Sequence, residues 1–234
     1  EYISLEGELK DGVSVMDAAL TFLKEAKDIR RKAVEFYCPS FDLHQKEVLL
    51  SMACITGAYT AGITEEKPEN VLEIQLDQVV PMIMMPCGAR TEQKKAEICE
   101  RSSLNGMELQ AGQIGGYTGG TIEELRKAAA LIEGKELALG FRLSICPATS
   151  RDYIQAMEEG IITKFIDFGA QIHAAGDRSV VVQGPGAMGP KEKLLTTGLY
   201  TYAGAMGCED AEVYSASTES VIQAAITKHI QEAL

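Results

Sequence analysis

The chain has 234 residues, of which 46% are hydrophobic, enough for the core of one or two domains. A disordered tail and a disulfide-stapled miniprotein are both excluded. With 22 Lys and Arg against 34 Asp and Glu, the formal net charge of −12 repels a phosphate backbone and argues against a nucleic-acid partner. Six cysteines stand at positions 38, 54, 87, 99, 146 and 208, and no Cys-x-x-Cys exists to make a zinc, redox or cluster motif.

A chain of this length and apolar content needs no disulfides, and no signal-peptide pattern opens it. Reduced thiols and a cytoplasmic location are therefore expected. The longest apolar run, Val79 to Pro86, carries Pro81 and Pro86 and falls well short of the roughly 20 residues that cross a bilayer, so no membrane association is expected. The sequence opens at Glu1 rather than at a methionine, which leaves room for missing domains or a partner subunit.

In chain order, the apolar positions Val15, Ala18, Ala19, Leu23 and Ala26 share a face and predict a helix over 13–29. A short strand over Ala33 to Tyr37 follows, then an apolar helix over Val48 to Ala61, and the period-two run Val71 to Leu76 predicts another strand. The extended, proline-punctuated segment after it suggests two α/β domains, 1–80 and 81–234.

The second part begins with a strand over Met107 to Ile114 and the glycine-rich turn Gly115-Gly116-Tyr117-Thr118-Gly119-Gly120. Thr121 with Glu124 three residues later has the capping-box spacing, so a helix is expected from Ile122, ending near Gly134. Next come a strand over Phe141 to Cys146, a helix capped by Thr149 and Asp152, and a short helix over Ile161 to Gly169. A strand over Ser179 to Gln183 leads into the turn Gly184-Pro185-Gly186; a strand over Ala211 to Ser215 and a helix with Val221, Ala225, Ile226 and Ile230 on one face close the chain. Strands alternating with helices in this order predict α/β layers around a mostly parallel sheet.

A strand, a glycine-rich turn and a capped helix together present free N–H groups at a positive helix end, so Gly115, Gly116, Thr118, Gly119 and Gly120 form a candidate anion site. A purely conformational turn is the competing reading. His173 and Asp177 lie close enough in sequence to serve as acid and base, against the alternative of an ordinary polar loop. His44 and His229 have no partner at ligand spacing and read as satisfied or solvated histidines; Tyr200 and Tyr202, after Thr197, either line a cavity or simply pack.

The segment Gln113 to Ala129 resembles the Gly-Ser-Cys-Thr-Asn motif and following Asp-Leu-Arg-x-Ala-Ala helix of the large subunit of aconitase and 3-isopropylmalate dehydratase. Gly140 to Ser150 is similar to that family's strand and Pro-Gly-Ser turn, Gly160 to Ala170 to the segment before its Cys-x-x-Cys, and Val213 to Ser217 to its Tyr-Leu-Ala-Ser-Pro strand. Ser51 to Thr60 resembles its Asn-Met-x-x-Glu-x-Gly-Ala helix, and Leu72 to Asp77 its interdomain connector. The resemblance implies three-layer α/β/α domains, and a hydro-lyase chemistry in which a [4Fe–4S] cluster on three cysteines polarises hydroxy-polycarboxylates.

The cluster cysteines of the family match Tyr117, Asp177 and Val180 here. The two arginines that grip substrate carboxylates match Tyr200 and Ala205, and the helix glutamate matches Ile55. The resemblance therefore implies an aconitase-like scaffold with no cluster expected, acting as a non-catalytic binding, regulatory or structural component. Its ligand would be a small carboxylate at Gly115, Gly116, Thr118, Gly119, Gly120, Thr197 and Tyr200. The alternatives are a cluster-free hydro-lyase or isomerase using Tyr117, His173 and Asp177, and a dehydratase subunit completed by a partner chain.

Overall fold

The computed structural model describes residues 1–26 and 29–231, apart from the side chains of Lys94 and Lys95. The first layer is β1 (Tyr2–Glu6), α1 (Val15–Glu25), β2 (Ala33–Tyr37), α2 (Leu43–Ala53), β3 (Thr60–Thr64) and β4 (Leu72–Gln75). Its four strands pair in parallel in the order β3-β2-β1-β4.

The second layer holds β5 (Met82–Met84), β6 (Ile98–Glu100), β7 (Ala111–Gly115), the single helical turn α3 (Gly116–Gly119), α4 (Ile122–Leu131) and β8 (Arg142–Cys146). It continues with α5 (Ser150–Glu158), α6 (Ile161–Phe168), β9 (Gln171–Ile172), β10 (Lys193–Thr196), β11 (Glu212–Ala216) and α7 (Thr218–Thr227). These strands run in the order β6-β5-β11-β10-β7-β8-β9. From β11 to β9 the pairing is parallel; β5 and β6 add an antiparallel edge. Mixed edges of this kind are common on otherwise parallel sheets.

The strands over 33–37, 71–76 and 141–146 form where expected, within a residue or so. Four expectations need correction. The helix expected over Val48 to Ala61 begins earlier, at Leu43, because Asp42 and Gln45 close a reciprocal capping box. It gives way after Ala53 to one 3₁₀ turn and a left-handed Gly57 (φ +78°), so Thr60 onward becomes a strand beside β2. No strand forms over Ser179 to Gln183: Ser179 is turned back by its bonds to Asp177, Val182 is exposed, and β10 fills that place in the sheet. The strand expected from Met107 begins at Ala111, because the main chain of Met107 and Leu109 bonds to the segment after α7 instead. The helix expected over 13–29 ends at Glu25, and Lys27 and Asp28 lie outside the described residues.

β5 is the seam between the layers. Its alternation sends Met82 and Met84 into the core built on α1, β1 and β2, while Ile83 joins the core of the second sheet. Asp17 fastens this seam from α1. Its fully buried carboxylate accepts from Ser14 N and Ser14 Oγ at 2.9 Å each, capping the helix, and from Met82 N at 2.8 Å. No helix among the described residues is long and apolar enough to cross a membrane.

Burial pushes the Asp17 carboxyl up from its ordinary 3.8 to about 6. A raised carboxyl binds its proton more tightly folded than unfolded, so its contribution to stability is full below pH 3.8 and is lost as pH rises through about 6. Asp17→Ala is expected to cost about 3 kcal/mol by leaving the Ser14 and Met82 amides unpaired. For Asp17→Asn the loss should shrink between pH 4 and pH 7; urea unfolding at the two pH values checks both.

Candidate functional site

The parallel strands β7, β8 and β10 end together, and open parallel sheets bind ligands at their carboxyl ends. Here the glycine-rich segment expected as an open turn is instead coiled into α3 and wedged between the ends of its neighbours. Thr197 clasps it from the end of β10: its Oγ1 accepts from Gly115 N at 3.0 Å and donates to Gly115 O at 2.9 Å, while Thr118 Oγ1 donates to Thr197 O. Only glycine allows this approach. A Cβ at Gly119 would lie 2.2 Å from Thr197 Oγ1, and one at Gly120 would lie 2.4 Å from the Cys146 carbonyl oxygen.

The helix end beyond this segment already has its anion. Ile122 N donates to Asp152 Oδ1 at 3.0 Å and Glu124 N to Thr121 Oγ1 at 3.5 Å, so side chains of the protein itself satisfy the first amides of α4. Asp152 also completes the capping box of α5 with Thr149. Glu124 does not return to the Thr121 amide as a capping box requires. It is buried between the layers, taking His44 Nε2 at 3.2 Å and Lys127 Nζ at 2.9 Å on one oxygen and the Thr218 hydroxyl on the other. Burial pushes this carboxyl up, but His44, Lys127 and Thr218 outweigh it and hold it near 2. Burial lowers the His44 imidazole, yet Glu124, with Glu123 and Asp42, leaves it raised above its ordinary value.

Tyr117 stands on α3 with about half of its surface exposed. The Asp177 loop rests against the same turn: Asp177 Oδ1 lies 3.2 Å from the point where a Gly116 Cβ would sit, and it accepts from Ser179 N at 2.9 Å and Ser179 Oγ at 2.6 Å. Val180 follows, partly exposed. From the first layer the end of α2 brings in Cys54, whose thiol pKa is raised by burial and by the Asp177 carboxylate. Tyr200, its ring 5.8 Å from that of Tyr202, is raised by burial and by the charges of Cys54 and Asp177. The phenol of Tyr200, the thiol of Cys54 and the carboxylate of Asp177 thus lie within electrostatic reach of one another beside α3.

His173 is not part of this group. Its Nε2 lies 3.2 Å from Ser144 Oγ, and burial together with the Arg178 cation lowers its pKa. Among the described residues no hydrogen bond joins it to Asp177 or Tyr117. Of the other histidines, His44 is satisfied by Glu124 and His229 lies 2.8 Å from the Thr227 carbonyl. Two residues of the site were not anticipated from sequence. Cys54 reaches it only through the packing of α2 against α3, and Glu124 carries the spacing of a cap but spends its charge elsewhere.

The positions matched to cluster cysteines carry a phenol, a carboxylate and an isopropyl group, which do not supply the three thiolates that hold a [4Fe–4S] cluster. The buried thiol nearby, Cys146, points at the carbonyls of Ala174 and Gly176 (3.1 Å each), and burial pushes it to about 11. Among the described residues no three His, Cys, Asp or Glu side chains are grouped to hold a metal ion. At the matched arginine position Ala205 is fully buried, and at the matched glutamate position Ile55 packs into the first core.

A model of the aconitase family (aconitate hydratase) matches residues 60–228. The chain belongs to the aconitase family. Curated relatives include the 3-isopropylmalate dehydratase large subunit of Pyrococcus horikoshii, 30% identical, with the match covering 87% of this chain and 52% of the relative. Large subunit 2 of Pyrococcus furiosus is 29% identical, with 91% and 55% covered. The chain spans about half the length of these curated relatives. The holo-form crystal structure of Thermococcus kodakaraensis aconitase X shares its fold, with a TM-score of 0.56 at 13% identity over 96% of this chain and 54% of that one. The mostly parallel α/β architecture is thus that of an aconitase-like protein.

Two outcomes check this account of the site. Gly119→Ala should destabilise the protein by about 2–3 kcal/mol through overpacking. Adding Thr197→Ser in the same chain should recover little of that loss, because serine keeps the hydroxyl oxygen and Cβ that lie nearest the added methyl group, and equilibrium unfolding of the single and double variants measures it. Glu124→Gln should cost roughly 2–3 kcal/mol at pH 6 by removing the charge that His44 and Lys127 share. A carboxyl held low contributes fully above its unfolded value of 4.5 and loses that contribution as pH falls toward 2. The gap between wild type and Glu124→Gln should therefore narrow from pH 6 to pH 3.

Proposed function

We propose that this aconitase-family chain is a non-catalytic binding or regulatory component that takes a small carboxylate in the strand-end cleft without an iron–sulfur cluster. The observation that carries this reading is the donor set: Tyr117, Asp177 and Val180 stand where the resemblance expects thiolates. It is supported by the conversion of two further matched positions, Ile55 and Ala205, into core residues that leave no place for an acid or a guanidinium. The ligand surface would be the exposed Tyr117 of α3 together with Tyr200, whose hydroxyls offer hydrogen bonds where the family offers charge, while Thr197, Thr118 and the glycines at 115, 116, 119 and 120, expected from sequence to touch the ligand, are buried behind it.

The curated relatives are named large subunits, which supports a role beside another chain or beside further domains. The cluster-free acid and base reading has less support, because the hydrogen bond of His173 goes to Ser144 rather than toward Asp177.

Protein purified without oxygen is expected to carry neither iron nor acid-labile sulfide in stoichiometric amount; finding both would overturn this reading. Citrate titrated into the same protein should give saturable amide shifts at 115–120 and 197–200 in NMR spectra. The absence of any such response would remove the ligand from the proposal.

A further inference from the structure

Of the nine residues of α5 only Ala156 is fully buried, and the helix turns one side outward. Arg151, Ile154, Gln155 and Glu158 recur at helical spacing on that side and, with Glu159, line an open groove. Ile154 and Met157 are apolar, yet each is just over half exposed. None of these residues belongs to the strand-end group around Tyr117, Asp177 and Tyr200.

The charges of this helix divide into two kinds. Asp152 is used inside the chain, accepting from Thr149 N and from Ile122 N at 3.0 Å each, and Glu159 is held by a two-pronged bond from Arg126 and by Gln155 Nε2 at 3.0 Å. The side chains of Arg151 and Glu158, by contrast, make no hydrogen bond or ion pair among the described residues. They stand two turns apart on the same side of α5, about 10 Å along its axis, too far to meet each other within one helix.

We propose that this face of α5 binds the same face of a second copy of the chain, the two helices lying antiparallel about a two-fold axis beside Ile154. The two unpaired charges select that partner. The midpoint between Arg151 and Glu158 falls between Ile154 and Gln155, with each charge roughly 5 Å from it along the helix. A two-fold axis through that point reverses the helix, so Arg151 of each copy meets the partner's Glu158, and Ile154 packs on its own equivalent. A parallel pairing would instead set arginine on arginine. The net charge of −12 makes two copies repel, and local pairs of opposite sign offset that repulsion where the chains touch. One side of a nine-residue helix is a small contact, so the dimer is a weak one, with a Kd of about 10–1,000 µM. The contact stands whether or not the strand-end cleft binds a ligand.

Sedimentation velocity of the full chain, from about 10 µM to about 1 mM, should show a monomer–dimer equilibrium. Arg151→Glu and Glu158→Arg should each weaken it at least about tenfold, since each puts two like-charged pairs into the dimer. Glu158→Arg is the sharper of the two: it reduces the net negative charge, so a general charge effect would strengthen association where the pairing predicts weakening. An equimolar mixture of the two single variants restores opposite signs at both pairs and should associate about as tightly as wild type, as should the chain carrying both reversals. Ile154→Asp should weaken the dimer as well, and circular dichroism checks that every variant keeps its helix content. A wild type that stays monomeric at every concentration, as it would if another protein or a further segment covered this face, would overturn the proposal. So would single reversals without effect, or a mixture that associates no better than either variant alone.

Discussion

The contact between Thr197 and the glycine segment sets the shape of everything at the strand ends. A single threonine hydroxyl closes on both the N–H and the C=O of Gly115, and the chain must then coil past it with no side chain at Gly119. That closeness draws α3 down between β10 and β8 and lifts Tyr117 toward solvent. It also brings the Asp177 loop against Gly116, since Ser179 Oγ receives Leu199 N from the same segment that carries Thr197. One packing constraint thereby gathers three separate stretches of chain, at 115–120, 177–180 and 197–200. Their chemistry then depends only on which side chains the sequence places there.

The fourth stretch comes from the other layer. α2 is held against α3 and α4 by Glu124, whose buried charge is compensated by His44 from α2, Lys127 from its own helix and the hydroxyl of Thr218 from α7. A buried carboxylate with partners from three elements constrains their relative placement more tightly than apolar contact alone, because losing any partner strands a charge. With β5 supplying residues to both cores and Asp17 bonded across to Met82, the layers pack as neighbours in continuous contact. Cys54 consequently sits at a defined place in the cleft.

Much of the fold was legible in local pattern. Thr149 with Asp152, the period-two run around Ile74 and the steps of three and four in α4 each carry their own physical cause, and those elements form where the pattern puts them. The misreadings have physical reasons as well. Val180 to Val182 has strand composition but lies outside the sheet, because sheet membership is decided by pairing: Val181 N bonds to Ala205 O while β10 takes the place beside β7. Gly115 to Gly120 looked like an open anion loop, since nothing local reveals that Asp152, thirty residues downstream of Ile122, fills the helix end. The candidate site was half legible. Tyr117, Asp177, Thr197 and Tyr200 could be named from motif positions, whereas Cys54 and the Glu124 cluster depend on packing between layers that no spacing encodes.

Two of the positions that the resemblance matches to charged groups lie inside hydrophobic cores. The Ala205 carbonyl accepts from the Val181 amide, and a guanidinium at this fully buried position would have to displace the core around Leu194, Met206 and Val213. Ile55 is likewise committed to the first core, so an acid at that position would cost the desolvation of a carboxylate. At both positions burial disfavours a charged side chain, which fits the proposed reading of a binding component without cluster chemistry. Under that reading, a thiolate introduced at Tyr117 alone would have neither companion thiolates nor a matched arginine or glutamate beside it. On the proposed reading the strand ends would bind through the phenols of Tyr117 and Tyr200 rather than through charge pairs, beside the shape set by the Thr197 clasp.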